Sequence, residues 1–542
     1  MNRRSALVAS LFVALAVARV TATYTRFSQT YDEPVHVAMG LEWLDRGTYT
    51  LELQHPPLAR IFDALALRIA GEHYPPGPIV LTDPAAPVRK GNAILGGPDD
   101  YQRNLTLARI GVLPWLLLAA FVVFHWTRAI ANTESAVAAV ALFTFVPAIL
   151  GHAGLATTDM ALAATLPAAV YALIRCIDRP SAGRMALFAC ALAAAVLSKF
   201  SAIPFMLVIG IVVLLLKFRE SGSDWRVRPT FGRPAFVALA LAAPIAALII
   251  WAAYRFSIWP APMYGFPPNE LLAMLAEAKA PPDRVLFFLL SHFHMPAPEL
   301  FAGLAHLGEH TLFGHPSYFL GQIRTHGVWY FFPVVIAVKT PIAFLVLAIL
   351  GARRASIPVL SAAAIVVIAM VSRINLGVRH VLPIYPLLAI AGGIALIEMW
   401  QRRRIVALIT AIVLGAWMAG SSLLAHPDYI AYFNELAGRH PERIVVDSDL
   451  DWGQDLPRLR DAVVDRRIDR LWIAYFGSAD LSRYPLAPAI RKLPPRTRVS
   501  GWIAISKTSL KGAYGRPDDY AWLEERTPVQ EIGRSILLYH SE

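Results

Sequence analysis

The sequence predicts a polytopic, all-α transmembrane domain followed by an α/β domain outside the membrane. Of its 542 residues, 56% are hydrophobic and only 16% are charged, with a mean hydropathy of +0.50. Soluble domains are nearer a quarter charged. This composition excludes a disordered chain, a collagen and a small disulfide scaffold. The two cysteines, Cys176 and Cys190, are predicted to be free thiols.

Apolar stretches near the length of a bilayer-spanning helix, about 20 residues, recur along the first 425 positions. We count about eleven: 5–22, 105–127, 135–151, 157–175, 185–198, 200–217, 234–254, 328–350, 356–371, 381–399 and 405–424. The first could instead be a cleaved signal peptide, because Arg3 and Arg4 precede it and small residues follow near position 22.

The net charge of +12 predicts the orientation of these spans. With a cytoplasmic N-terminus, the inside segments carry sixteen basic residues against four acidic ones, and the difference equals the whole net charge. The positive-inside rule therefore places the loops 23–104 and 255–327 and the tail 426–542 outside. We expect the protein to lie in the plasma (inner) membrane. The excess charge marks topology, so no nucleic-acid partner is expected.

The chain accordingly divides into a transmembrane domain, 1–425, with its two long outer loops, and an α/β domain, 426–542, in the periplasm or outside the cell. In the tail, β-branched and aromatic runs predict strands, whereas two segments predict helices. The strands are 444–446, 471–476, 499–505 and 535–539, and the helices are 456–467 and 518–525.

Two adjacent carboxylates, Asp32 and Glu33, follow the first span by about ten residues. Charges this close to a bilayer are costly unless they face water or a cavity, and such a pair can serve as a general base or hold a metal. Alternatively, Asp32 caps the helix predicted over 35–44. Further along, Pro56 and Pro57 start a helix and hold His55 near the same membrane face.

Lys339 lies near the middle of the eighth apolar stretch, where an unpaired ammonium would cost about 3 kcal/mol. We therefore expect it to face a cavity or a phosphate. The alternative is a helix that starts near 329–332 and re-enters, which leaves Lys339 less deep. His306 and His310, spaced i,i+4 on one helical face, could bind a metal or be incidental.

The acidic segment 447–455 has two open interpretations. It is no EF-hand, because Trp452 and Arg458 stand where glycine and glutamate are required. Asp455 before Leu456-Pro457 suits a helix cap. Trp452, flanked by carboxylates, could instead face a sugar.

In their order and spacing, these motifs resemble the C-class glycosyltransferases, in particular the protein O-mannosyltransferases and the lipid A aminoarabinose transferases. These are polytopic enzymes that take a sugar from a polyprenyl-phosphate carrier on the outer face. The resemblance rests on Asp32-Glu33-Pro34-Val35-His36, His55-Pro56-Pro57-Leu58, Ala156-Thr157-Thr158-Asp159, Pro316–Gly321, Lys339-Thr340-Pro341, Asn375–His380, Tyr432–Glu435 and Asp447–Leu456.

The resemblance implies roles for these residues. Asp32 would be the catalytic carboxylate, Glu33 would assist it or hold the acceptor, and Asp159 would be a second acid. Basic groups would offset the charge that develops on the leaving phosphate. The implied substrate-binding residues are His55, Lys339, Arg373, Arg379, His380 and Trp452.

The sequence leaves open whether the protein binds a divalent metal. Relatives often place a metal-binding glutamate just before the histidine position, but here that residue is the neutral Gln54, with Glu52 nearby. His55 stands where aminoarabinose transferases have a lysine.

The implied activity is inverting transfer of a sugar from polyprenyl phosphate to a hydroxyl on a protein, lipid or glycan. A transporter or flippase of lipid-linked sugars is the alternative, although the sequence lacks the matched repeats common in transporters. A non-catalytic binder of such lipids is a third interpretation.

The predicted orientation can be tested with single cysteines in a Cys176→Ser, Cys190→Ser background. Ser482→Cys should react with a membrane-impermeant thiol reagent in right-side-out vesicles, whereas Ser223→Cys should react only after permeabilisation. The reverse pattern would contradict the charge-based topology.

Overall fold

The computed structural model describes residues 3–77, 83–220, 233–260 and 294–542, with six single positions between 261 and 293. The predicted inside residues Asp224, Arg226 and Arg228 and most of the first half of loop 255–327 lie outside the described residues. The described chain is mostly helical, as expected.

Eighteen α-helices precede the tail in the described ranges. The first nine are α1 Arg3–Thr21, α2 Glu33–Leu41, α3 Pro57–Ile69, α4 Ala86–Leu95, α5 Pro98–Ile110, α6 Leu113–Ile130, α7 Thr133–Thr144, α8 Pro147–Ala153 and α9 Asp159–Asp178. The others are α10 Ala182–Ser198, α11 Ala202–Glu220, α12 Arg233–Ala253, α13 Pro298–Phe313, α14 Phe331–Lys339, α15 Ile342–Gly351, α16 Ser356–Met370, α17 Ile384–Gln401 and α18 Ile405–Leu424.

The predicted polytopic character is confirmed. Within the described ranges, seven helices are long and apolar enough to cross a membrane, or up to nine if each of two bent pairs forms one span. Helices α10 and α16 are apolar but shorter, with 17 and 15 residues. Each of the eleven predicted stretches thus corresponds to a helix or helix pair, and the number that cross the bilayer stays a prediction.

Proline accounts for both bends. Helices α7 and α8 meet at 66° just before Pro147, and α14 and α15 meet at 110° just before Pro341. The residue before a proline is pushed out of the helical region, and Val146 and Thr340 are indeed extended, with ψ of 117° and 133°. The predicted span 328–350 is therefore two short helices.

Small residues allow the helices to pack closely, as is common in membranes. A Cβ added at Gly393 of α17 would lie only 2.4 Å from the backbone nitrogen of Ala139 in α7. A Cβ added at Gly351, the last residue of α15, would likewise clash with the carbonyl oxygen of Ala391, at 1.9 Å.

The tail contains a five-stranded sheet made of β5 Arg470–Ala474, β6 Ala489–Lys492, β7 Gly501–Ser506, β8 Gln530–Ile532 and β9 Ile536–Ser541. Across the sheet the strand order is β6-β5-β7-β9-β8. Strands β5, β6 and β7 run parallel, and β9 pairs antiparallel with β7 and β8. Two antiparallel strand pairs precede it: β1 Ile258–Pro260 with β2 His294–Pro296, and the hairpin of β3 Ser317–Phe319 with β4 Gln322–Arg324. The helices of the tail are α19 Leu456–Asp465, α20 Lys507–Leu510 and α21 Ala521–Glu524.

Three predicted strands coincide with β5, β7 and β9, whereas the short β6 and β8 were not predicted. The strand predicted at 444–446 is wrong: Val445 forms only a single bridge with Phe319. That partner is the last residue of β3 in the second outer loop, so the pairing ends where β3 ends. The domain boundary at 425/426 stays a prediction.

The tail folds back onto the first outer loop. The Tyr31 N–H donates to the Trp452 carbonyl at 3.1 Å, and the Ser28 N–H donates to Gln454 at 3.0 Å. The Asp449 carboxylate also accepts from the Val378 N–H at 3.0 Å. These bonds bring three distant parts of the chain together around one space.

We expect Gly393→Ala to lower the free energy of unfolding by about 1–3 kcal/mol, because α7 and α17 must separate. Gly415→Ala in α18 is the matched control, since a Cβ there meets nothing within 4 Å among the described atoms. Thermal unfolding in detergent measures both, and equal midpoints would contradict the close packing.

Candidate active site

A cavity of about 1350 Å³ lies where the first outer loop, the membrane helices and the tail meet. Five of the predicted site residues line it: Asp32, His55, Arg379, His380 and Trp452. Apolar residues of α11 and α16 form one wall, and the tail strands and their loops form another. The cavity therefore joins a membrane-side surface to an extramembrane one.

The Asp32 carboxylate faces this cavity and pairs with Arg379. Arg379 Nη1 lies 2.6 Å from Asp32 Oδ2, and the Asp32 side chain retains 26% exposure. Asp32 occupies the N-cap position of α2, but its side chain caps no backbone N–H. Asp32 therefore occupies the predicted N-cap position, but its carboxylate does not cap the helix.

Arg379 is held by its surroundings. It lies in a short 3₁₀ turn, Val378–Val381, and its guanidinium carbon is 4.4 Å from the ring centre of the buried Trp452. Gly377 has φ of +120°, and a Cβ there would approach the Asp449 carboxylate to 2.9 Å. Only glycine suits this turn. The neighbouring His380 Nε2 is buried with no hydrogen-bond partner among the described residues.

Asp159 is buried beside the cavity at the start of α9. Its carboxylate lies 2.6 Å from Lys199 Nζ and 4.0 Å from His152 Nδ1. Lys199 lines the cavity, while Asp159 does not. The second acid therefore influences the site through Lys199.

His55 belongs to a cluster around the fully buried Arg60. Arg60 donates to His36 Nδ1 at 2.9 Å and to the Tyr49 hydroxyl at 2.8 Å, and pairs with Glu52. Burial lowers the pKa of His55 and of His36, so both rings are neutral at pH 7. Burial alone would raise the pKa of Glu52, yet the Arg60 guanidinium outweighs it and holds that pKa well below its usual range.

The acidic residues of the tail segment 447–455 differ in their surroundings: some line the cavity, and others are bonded within the tail. Asp447 and Trp452 line the cavity, and Asp447 has φ of +56°, a strained conformation of the kind that collects at functional sites. Burial raises the pKa of Asp447, against the lowering by Arg379 and by the hydrogen bond from Tyr514. Asp451 and Asp455 instead accept hydrogen bonds within the tail.

Glu33 lies outside the cavity lining. Its oxygens accept from Arg109 Nε and Nη2 at 2.8 and 2.9 Å, from the Ala156 N–H at 3.0 Å and from the Thr30 N–H at 2.7 Å. With both oxygens engaged and fully buried, Glu33 is placed to anchor the loop rather than to assist Asp32.

Two basic residues that were predicted to bind substrate, Lys339 and Arg373, do not line the cavity. Lys339 donates to the carbonyls of Ile430 and Asp449 and packs on the Phe433 ring. The expectation that it faces a cavity or phosphate is therefore corrected: α14 ends at Lys339, and backbone oxygens satisfy its charge. Arg373 donates to the Leu312 carbonyl at 2.7 Å and does not line the cavity.

The described residues do not fit a metal site. No group of three or more His, Cys, Asp or Glu side chains comes together among them. Glu52, the carboxylate nearest to Gln54, is occupied by Arg60. His306 pairs with Glu309 at 3.9 Å, whereas His310 lines the cavity and contacts the His315 ring.

Sequence reasoning missed several lining residues, above all Lys199, Arg60 and Tyr514. Lys199 had a signal: it is a lone lysine between two apolar stretches, where a charge needs a partner. Tyr514 had none, because its place depends on how the tail docks.

Residues 102–252 match a family model described as dolichyl-phosphate-mannose-protein mannosyltransferase. The resemblance to C-class glycosyltransferases is confirmed. No curated protein matches the chain.

Solved structures are also similar in part. ArnT from Cupriavidus metallidurans, bound to undecaprenyl phosphate, is 13% identical with a TM-score of 0.45, over 98% of this chain and 97% of that one. The archaeal oligosaccharyltransferase AglB from Archaeoglobus fulgidus is 14% identical with a TM-score of 0.41, over 77% and 56%. The S. cerevisiae Pmt1–Pmt2 complex is 15% identical with a TM-score of 0.37, over 47% and 34%.

We expect Glu33→Gln to destabilise the protein by about 3–5 kcal/mol, because it leaves the Arg109 charge buried without its partner. Asp32→Asn should leave stability nearly unchanged, since the Asp32 side chain is 26% exposed to the cavity and an asparagine amide oxygen can still accept from Arg379. Thermal unfolding of both variants measures this. A Glu33→Gln protein that unfolds like the parent but has lost activity would show that Glu33 acts in the chemistry instead.

Proposed function

We propose that this protein is a membrane glycosyltransferase that moves a sugar from a polyprenyl-phosphate donor to a hydroxyl acceptor on the outer face, with Asp32 as the base. The single observation that carries the proposal is Asp32, held by Arg379 in a cavity that runs from apolar membrane helices to the extramembrane tail. The family match over 102–252 supports the reaction class.

The apolar wall suits the donor lipid. Phe205 of α11 and Ile368 of α16 line the cavity from the membrane side, and a prenyl chain there would keep its hydrocarbon out of water. Beyond this wall lie the cations Lys199 and Arg379. A lipid phosphate placed against them would gain charge-assisted hydrogen bonds.

The reaction then follows from these groups. The acceptor oxygen forms its bond to the anomeric carbon as its proton passes to the Asp32 carboxylate. The bond from that carbon to the phosphate oxygen breaks, and its electron pair leaves with polyprenyl phosphate. Arg379 and Lys199 offset the charge on this leaving group. One base and one in-line displacement give inversion at the anomeric carbon.

Arg379 has two tasks in this scheme. Before substrate binds, it orients the Asp32 carboxylate, and its guanidinium carbon lies 4.4 Å from the centre of the Trp452 ring. Its buried Nε has no partner among the described residues, so donor capacity remains for a phosphate oxygen. Arginine suits this because its fork of donors can serve two anions at once.

Asp32→Asn should reduce transfer by about 100-fold or more, the usual contribution of a general base, with the same thermal midpoint as the parent. Asp99→Asn, at an exposed acid of the same outer loop, is the matched control and should keep full activity. The assay incubates purified protein in liposomes with a polyprenyl-phosphate sugar labelled in the sugar.

This assay also separates the alternatives. Cleavage of the donor with labelled product supports the transferase, movement of intact donor across the bilayer indicates a transporter, and retention without either indicates a binder. Full activity in Asp32→Asn would refute the assigned base.

A further inference from the structure

Three aromatic rings form a stacked column in the cavity wall. The ring centres of Tyr31 and Phe476 are 5.4 Å apart with planes at 14°, and those of Phe476 and Tyr514 are 5.1 Å apart at 4°. All three residues line the cavity. The column therefore joins the first outer loop to two separate loops of the tail.

A carboxylate stands beside each end of this column. Tyr31 directly precedes Asp32 in the chain. At the other end, the Tyr514 hydroxyl donates to Asp447, the residue with the strained backbone. Asp32 and Asp447 both line the cavity, so the apolar faces of the column are bordered by hydrogen-bond acceptors.

The outer rings are open to the cavity. Tyr31 is 42% exposed and Tyr514 is 47% exposed. Phe476 covers one face of Tyr31, and no second ring or cation lies on that residue in the part of the chain that the structure describes. Besides Phe476, the ring of His315 approaches Tyr514, edge-on, with ring centres 5.6 Å apart and planes at 75°.

We propose that this aromatic column binds the acceptor, and that the acceptor is itself a sugar ring of a glycan. The inference rests on the proposed function and deepens it. The face of an aromatic ring is electron-rich, so it attracts the polarised C–H groups on the apolar face of a pyranose. Asp32 and Asp447 would accept hydrogen bonds from its hydroxyls.

The column is on the acceptor side because the donor occupies the other side. A prenyl chain enters along the wall of α11 and α16, and its phosphate meets Lys199 and Arg379. The attacking oxygen must approach the anomeric carbon opposite to this phosphate. Phe476 and Tyr514 come from the tail, away from the membrane helices, and Tyr31 brings a bound hydroxyl next to Asp32.

An extended peptide is the competing acceptor. Strand β6 is the edge of the tail sheet, and its Ile490 and Lys492 line the cavity, so a peptide could add to this edge. However, β6 has only four residues, whereas the column begins at the residue next to the base. The structure therefore favours the sugar.

In the reaction, a hydroxyl of the stacked sugar forms the new glycosidic bond and gives its proton to Asp32, while polyprenyl phosphate leaves. The product is a glycan longer by one sugar.

The test compares acceptor and donor kinetics in the full-length protein. Acceptors are a soluble oligosaccharide and a serine- and threonine-containing peptide, offered with a labelled polyprenyl-phosphate sugar. Tyr31→Leu should raise the oligosaccharide KM by about tenfold, the effect of losing one stacking contact, with less than about a twofold change in the donor KM. Tyr31→Phe keeps the ring and should restore the KM.

Trp329→Leu is the control, because Trp329 is an exposed aromatic outside the cavity lining, and it should match the parent. Transfer to the peptide but not to the oligosaccharide would overturn the sugar acceptor while leaving the transferase intact. A Tyr31→Leu change in kcat and donor KM alone would also overturn it, as it would show that the column only positions Asp32. An absence of any donor cleavage by the parent protein would instead reject the proposed function.

Discussion

The buried ion pair of Glu33 and Arg109 is the contact on which the rest of the site depends. Glu33 also accepts the N–H groups of Ala156 and Thr30, so one carboxylate fixes the first outer loop, α5 and the entry to α9. Such a pair contributes specificity as much as stability, because its charges tolerate no other arrangement. With Glu33 turned inward, the adjacent Asp32 is turned toward the cavity.

Two neighbouring carboxylates thus have different physical roles, and their surroundings set the difference. Glu33 has every oxygen engaged by buried donors, whereas Asp32 has one cation and open space. The same contrast recurs in the tail, where Asp447 lines the cavity while Asp451 is enclosed by backbone donors and burial raises its pKa to about 7. A free, oriented carboxylate is what proton transfer needs.

Much of the helical architecture could be predicted from sequence because the length of an apolar stretch is a local signal. Asp32 and Arg379 could be proposed on motif alone. The pairing of Asp159 with Lys199 could not be predicted, because the two residues lie 40 positions apart and only the helix packing brings them together. The energetic cost of burying the Lys339 ammonium predicts that it has a partner. That partner is a set of backbone carbonyls, and a sequence does not show which carbonyls lie near a side chain.

The backbone pairing between the first outer loop and the tail has a consequence for biogenesis. Tyr31 and Trp452 are joined by a hydrogen bond, yet more than 400 residues of synthesis separate them. During translation Asp32, the proposed base, is made long before the segment that encloses it exists. A nascent or truncated chain that lacks this tail segment therefore has no assembled cavity around Asp32.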